Sequence, residues 1–389
     1  MVLAQDTGGS GSSDGSGGPY LVMVVDDSAV VRGLETRMLE EDPEIKVVAS
    51  VGNGQAAVQA LDRVEVEVIV LDIEMPIMDG LTALPKIIEK NPKVRVLMSS
   101  TLTQKNAEIS MKAMELGAAD YVPKPTSSKE LTGSGDFRNL LIGKVKALGA
   151  GLRQSLKKPL PVVSKEGAPA EAEAAAPRSL LSPTAPIQLR PANETRPDVI
   201  AIGSSTGGPQ ALFNVLTAVR ESGGVDQPIL ITQHMPPTFT TILAEHIKRI
   251  AGLTAKEATE GEKITGGMVY IAPGDWHMLI EGNPGSSIVR LVQTEPENFC
   301  RPAVDPMFRS IAKVYGSKVL ACVLTGMGAD GAKGGKVVVE AGGTVIAQDE
   351  ASSVVWGMPG ATAQLGVCSA LLPLDEIGAY IQKFAKGRG

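Results

Sequence analysis

The chain alternates short apolar runs with longer stretches in which apolar residues recur every three or four positions. From Tyr20, "YLVMVV" reads as a strand that ends in two acids, and "SAVVRGLETRML" then takes a helical pattern. "VEVIVLD" repeats the form, a strand ending in acid. "VRVLMSSTL" and "AADYVPKP" are two further strands, with helical stretches between them. The alternation stops near Gly149 and resumes at Pro197, lasting to about Lys386. There "DVIAIG", "PILITQ", "MVYIAP", "KVLACVLTG" and "GTVIAQ" are the strand candidates. Strands alternating with helices predict parallel sheets covered by helices on both faces. The expected architecture is α/β in two domains: a doubly wound one at residues 20–140 and a mostly parallel-sheet one at 197–387. Residues 7–18, "TGGSGSSDGSGG", predict a flexible tail over 1–19. Residues 141–196 are expected to hold a helix closing the first domain and then a linker. Its Pro- and Ala-rich part, 157–195, is too polar to bury a core, with room for a helical turn around Glu171 to Ala176.

Composition narrows the class. A chain of 389 residues is long enough for two domains. At 43% hydrophobic and 3% aromatic, its cores must be built from aliphatic side chains. A net charge of −6 leaves no basic footprint for nucleic acid. Cys300, Cys322 and Cys368 are unclustered, which points to small packed hydrophobes in a reducing compartment. No apolar stretch is long enough to insert in a membrane, and no signal sequence begins the chain, so a cytoplasmic protein is expected.

Ligands of open parallel sheets bind at the carboxyl ends of the strands. Asp26 and Asp27 follow the first strand, Asp72 another, Ser99 and Ser100 end the next, and Lys124 follows the last beside Pro125, which invites a cis peptide. Any one acid alone reads as a helix cap, Asp27 or Ser28 for instance. Gathered together, carboxylates repel unless a cation neutralises them, and hard oxygen ligands suit Mg²⁺. The set of acid pair, Asp, Ser and Lys resembles the receiver domain of two-component response regulators, over about residues 20–140, which implies a flavodoxin-like fold there. That resemblance implies that Asp72 accepts a phosphoryl group from a histidine kinase. It implies Mg²⁺ held by Asp27 and Asp72 through carboxylates, by Glu74 through its backbone carbonyl and by Asp26 through water. Ser99 would be the hydroxyl that meets the phosphoryl group, Lys124 its cation, and Tyr121 the aromatic that changes position on activation. Glu74 stands where other receivers often carry Asn.

"GSSTGGPQ", residues 203–210, joins an apolar strand to a helix. As a phosphate cradle it lacks the Lys of a P-loop and the G-x-G-x-x-G spacing. As a crowded corner, its small residues would serve close packing. As a nucleophile's perch, Gly203, Ser205 and Gly207 match G-x-S-x-G. A serine needs a base, and the chain has three histidines. His234 follows a strand in "QHMPP", His246 sits mid-helix as a packed or solvated position, and His277 borders a strand, structural or near the cleft. Asp330, in "VLTGMGADGAKGG", is the acid candidate, although alone it reads as a helix cap. The order Ser, His, Asp departs from that of α/β-hydrolases.

Together "GSSTGG", "QHMPP", "YIAPGD", "RPAVDPMF" and "LTGMGADGA" resemble the chemotaxis protein-glutamate methylesterase family, over residues 197 to about 386. The resemblance implies a Ser205–His234–Asp330 triad, with backbone N–H groups near Thr206 and Met327 as the oxyanion hole and no cofactor in the esterase site. It implies hydrolysis of glutamate γ-methyl esters, with release of methanol, and deamidation of glutamines on the cytoplasmic helices of chemoreceptors. The receiver would cover the Ser205 cleft until phosphorylated. A neutral base would make activity rise through roughly pH 6 to 7. A non-catalytic interaction protein is the reading of a different class, which the complete triad argues against. A DNA-binding regulator lacks its basic recognition helix. The same hydrolase acting on receptors outside chemotaxis stays open.

Overall fold

The computed structural model describes residues 18–101, 103–124, 135–157, 187–193 and 195–387. Most of the expected tail, Pro125 and most of the linker, with Glu171 to Ala176, lie outside the described residues. The first apolar runs become β1 (Tyr20–Val25), β3 (Val68–Asp72), β4 (Arg95–Thr101) and β5 (Asp120–Lys124). They form a parallel sheet with β2 (Ile45–Val51) in the order β2-β1-β3-β4-β5. Val68, Ile69, Val70 and Leu71 are all buried, because helices cover both faces. That is why such strands read as continuous apolar runs rather than alternating ones. Strand β2 escaped the sequence reading; it is a sheet edge, mostly half-buried or exposed.

Around this sheet lie α1 (Ala29–Glu40), α2 (Gly54–Ala60), α3 (Gly80–Lys90), α4 (Gln104–Glu115) and α5 (Gly135–Lys157). Ser28, Asn53, Asp79 and Thr103 cap the first four, each side chain accepting a backbone N–H of the first turn. For α1 the cap is Ser28, so the carboxylate of Asp27 remains at the strand end.

The second domain contains β6 (Val199–Ser204), α6 (Gly208–Glu221), β7 (Ile229–Gln233), α7 (Phe239–Ala251), β8 (Thr254–Glu257) and β9 (Met268–Ile271). An antiparallel pair follows, β10 (His277–Glu281) with β11 (Ile288–Val292). The rest is α8 (Val304–Tyr315), β12 (Val319–Val323), α9 (Ala332–Glu340), β13 (Thr344–Gln348), α10 (Met358–Gln364), β14 (Ala370–Leu372) and α11 (Leu374–Ala385). Seven strands form one parallel sheet, β14-β13-β12-β6-β7-β9-β8. From β6 the chain builds outward through β7, then returns to add β12 on the other side. The carboxyl ends of β12, β6 and β7 therefore meet at the switch point, where such folds bind ligands. The described end of the expected linker is tied to this domain. Arg190 N donates to Cys368 O, and Asn193 reaches Thr344 Oγ1, Ser317 O and Gly342 O.

The two domains touch along β5, α4 and α5. The Tyr121 ring stacks on Phe239 with centroids 4.4 Å apart and planes within 9°. Gln210 Nε2 donates to Met114 O at 2.6 Å, and Glu115 pairs with Arg249 and, at 2.9 Å, with His246. Val355 of the second domain is buried in one cluster with Phe137, Leu141, Val145 and Leu148 of α5.

Candidate functional site

At the carboxyl edge of the first sheet, Asp26, Asp27 and Asp72 each offer an oxygen within 4.8 Å of the others. Lys124 Nζ lies 2.5 Å from Asp26 Oδ2 and 2.6 Å from Asp72 Oδ1. Burial raises the Asp72 carboxyl above its ordinary range, with Lys124 pulling the other way. Burial also opposes the charge on Lys124, but Asp72, Glu35 and Asp26 more than offset it and raise that pKa. One ammonium among converging carboxylates leaves negative charge to spare, and the donors are all hard oxygens, so the set fits a divalent Mg²⁺. The Glu74 carboxylate is exposed and pairs with Lys105, outside this set.

Ser99 lies opposite Asp72 in the strand register. Its hydroxyl donates to Glu35 Oε1 at 3.1 Å. Glu35 was not singled out in the sequence, where it is one acid in the helical "RGLETRML". It is buried, its Oε2 has no partner among the described residues, and burial pushes its pKa up to about 7. Ser100 turns to Ser110 instead. Tyr121 is buried in the domain contact, with Lys144 over its ring.

The second cluster forms where β6, β7 and β12 end. Gly207 starts α6 with φ +77°, the left-handed conformation that the tight turn requires. Gly208 lets the turn approach β7: a Cβ there would lie 1.9 Å from Gln233 Oε1. These constraints separate the two serines. Ser204 is fully buried and donates to Gln233 Oε1 at 2.7 Å. Ser205 is half-buried and lines a cleft of about 470 Å³. Gln233 Nε2 in turn holds Ser205 O at 2.8 Å.

His234 lines the same cleft. Its Nε2 meets Asp330 Oδ2 at 2.8 Å, and its Nδ1 meets Cys300 Sγ at 3.3 Å. No hydrogen bond joins His234 to Ser205 among the described residues. Burial alone would lower the His234 pKa, yet the bonds to Asp330 and Cys300 push it up to about 10. Asp330 is buried and accepts from Val304 N, Asp305 N, Gly331 N and Asn298 Nδ2. Burial works against its charge, but His234 and these N–H donors hold its carboxyl below the ordinary range. Thr206 is buried, Met327 is partly exposed on the cleft, and among the described residues neither donates its N–H internally.

Three residues support the cluster in roles the sequence does not announce, and one of them corrects an expectation: Cys300 is not a packed hydrophobe like the buried Cys322 and Cys368 but stands half-buried on the cleft. Asp305 accepts from Gly331 N and Gly334 N, fixing the turn that carries Asp330. Asn298 bridges Asp305 and Asp330. Cys300 occupies the second nitrogen of His234. Asp305 was within reach, since "RPAVDPMF" places an acid at a helix start; Asn298 and Cys300 carry no local signal.

The other histidines have different surroundings. His277 is fully buried: its Nδ1 accepts from Ala303 N and its Nε2 faces Glu295 O. It braces the backbone just ahead of α8. His246 takes the packed one of its two expected surroundings, stacked on the Phe213 ring of its own domain and paired with Glu115 across the domain contact.

The cleft has walls from both domains. Ser205, Thr206, His234, Cys300 and Met327 line one side, and Tyr121, Pro123, Leu140 and Lys144 of the first domain close the other.

Comparison with known proteins covers nearly the whole chain. Residues 200–381 match the CheB methylesterase family, and residues 22–134 match the response regulator receiver domain. Protein-glutamate methylesterase/protein-glutamine glutaminase 1 of Rhodospirillum rubrum is 62% identical over 374 residues, 96% of this chain and 97% of that protein. The protein of the same description from Paramagnetospirillum magneticum is 59% identical over 369 residues, 94% of this chain and 96% of that protein. The crystal structure of the Thermotoga maritima CheB methylesterase catalytic domain is 40% identical, covering 49% of this chain and 99% of that one, with a TM-score of 0.46. Among the described residues, no helix is long and apolar enough to cross a membrane.

Proposed function

Since this chain belongs to the CheB methylesterase family, in the form that carries a response regulator receiver domain, we propose that it hydrolyses glutamate γ-methyl esters, and deamidates glutamines, on the cytoplasmic helices of chemoreceptors. The observation that carries the reading is the meeting, at three adjacent strand ends, of Ser205 and His234 on one cleft walled by the receiver, with Asp330 buried behind and bonded to His234. Ser205 Oγ attacks the ester carbonyl while His234 takes its proton. Asp330 holds the ring by Nε2 and stabilises the imidazolium. The backbone N–H groups of Thr206 and Met327 receive the oxyanion, each such donor being worth about 3 kcal/mol. His234 returns the proton to the leaving methoxide, methanol departs, and water cleaves the acyl-enzyme to a carboxylate. With glutamine, ammonia leaves in place of methanol. Methanol released from methylated receptor membranes is the direct assay; none above the uncatalysed rate would overturn the reading.

The pH dependence has a definite sign. A base works only when deprotonated, and His234 is raised from 6.5 to about 10. Its deprotonated fraction grows as pH rises and is small at neutrality. The kcat of the intact chain should therefore climb well above pH 7, later than the pH 6 to 7 expected for an unperturbed imidazole. A plateau already at pH 7 would contradict a base held by Asp330 and Cys300.

Control belongs to the receiver. Asp72 accepts the phosphoryl group from a histidine kinase, Lys124 balances the added charge, and the Ser99 hydroxyl turns to the new oxygens. Asp26, Asp27, Asp72 and the Glu74 backbone carbonyl would hold Mg²⁺, which supplies charge neutralisation for the transfer. Asp72→Asn should abolish labelling by a small phosphodonor in the presence of Mg²⁺, and full labelling of that variant would move the acceptor elsewhere.

A further inference from the structure

The cleft holds one nucleophilic side chain that the proposed mechanism leaves unused. Cys300 is half-buried, lines the cleft beside Ser205, and places Sγ 3.3 Å from His234 Nδ1. Asp330 already takes Nε2. A histidine has two ring nitrogens, so Nδ1 is the one through which Ser205 must be reached, and general-base transfer requires hydrogen-bond distance. In this structure that nitrogen is taken by sulfur. The loop is built to hold it there. Asn298 and Phe299 both adopt positive φ, 52° and 63°, conformations that non-glycine residues take at a cost. Glu297 and Cys300 exchange both backbone hydrogen bonds, and the Asn298 side chain is anchored on Asp305 and Asp330.

We propose that Cys300 is a positioning residue that parks the catalytic histidine: it occupies His234 Nδ1 in the receiver-docked chain, and ester hydrolysis requires that contact to open so that Ser205 takes its place. The inference rests on the Ser205–His234–Asp330 reading and adds its resting state. The sulfur acts in two ways. It blocks the nitrogen sterically, and the contact raises the His234 pKa and so favours the imidazolium, which cannot take a proton. The other charged groups around the ring are Asp330 from the β12 end, Asp305 from α8, Arg301 beside Cys300, and Lys144 of α5 across the cleft. All of them stay in place when the thiol is removed.

The test uses the intact, unphosphorylated chain and a γ-methyl glutamyl ester peptide. Cys300→Ala should raise kcat about three- to tenfold with KM unchanged, and should move the rising limb of the kcat–pH profile to lower pH. Cys300→Ser, which keeps a smaller hydrogen-bonding group, should fall between. Histidine ¹⁵N chemical shifts give a reading independent of turnover. The chain has three histidines, so His234→Gln assigns the signal. That signal should lose its proton at lower pH in Cys300→Ala than in the parent chain. A Cys300→Ala protein with unchanged kcat, pH limb and His234 titration would overturn the proposal, and with Ser205→Ala inactive the triad would still stand. A folded but inactive Cys300→Ala, together with an active Ser205→Ala, would overturn both, making the thiol the nucleophile.

Discussion

Ser205→Ala should abolish ester hydrolysis, by a factor on the order of 10⁴ or more, while the protein keeps its fold. Removing a triad nucleophile elsewhere has effects of this size, and here the change deletes one oxygen from a half-buried side chain on the cleft wall. The neighbouring serine gives the opposite outcome. Ser204→Ala removes a fully buried hydroxyl and leaves Gln233 Oε1 without its donor. It should cost roughly 1–3 kcal/mol of stability and keep most of the activity. Methanol release and thermal unfolding, measured on both variants, separate them. An active Ser205→Ala beside a dead but folded Ser204→Ala would reverse the assignment.

The second large effect is release from the receiver. A chain beginning at residue 187 should show basal esterase activity on the order of tenfold above that of the intact unphosphorylated protein. The starting point matters, because Arg190 and Asn193 belong to the catalytic domain by their hydrogen bonds and a later start would strip them. The interactions that dock the receiver are individually small. One stacked pair contributes about 0.5–1.5 kcal/mol beyond its buried area, and the exposed Arg249–Glu115 pairing adds a few tenths to about 1 kcal/mol. Such a docking energy can hold a domain closed through a tether yet be overcome by one phosphorylation event. Equal methanol release from the fragment and the intact chain would mean that the receiver does not obstruct the cleft.

What the sequence revealed and what it concealed divide along physical lines. Strands buried on both faces, such as Val68–Asp72 and Val319–Val323, announce themselves as apolar runs. Edge elements do not: β2, β8 and β14 are half-exposed along most of their length, and β8 reads only "TAKE". Site residues at strand ends were legible because the fold places strand ends together, whatever separates them along the chain. Asp26, Asp72 and Lys124 owe their meeting to that rule, as Ser205 and His234 owe to it their place on one cleft with Asp330 bonded behind the ring. The groups that tune those residues come from positions with no such rule. Glu35 is one helical acid among several, and Asn298 and Cys300 stand in a loop whose course is set by tertiary contacts. The pH at which His234 sheds its proton is hidden for the same reason, since it depends on Asp330 and on a sulfur 66 positions away.

Strand β5 carries Lys124, bonded to Asp72, and Tyr121, stacked on Phe239, within its five residues. The two events at its ends are therefore linked equilibria, and linkage runs in both directions. If an acyl phosphate at Asp72 weakens docking by some factor, docking weakens the binding of a phosphoryl mimic at Asp72 by that same factor. On the function proposed above, a receptor helix lodged in the cleft would displace the Tyr121 face as phosphorylation would, so an enzyme already at its substrate would be the easier one to switch on. The receiver would then read two inputs at once, its own phosphorylation and the occupancy of the cleft it walls.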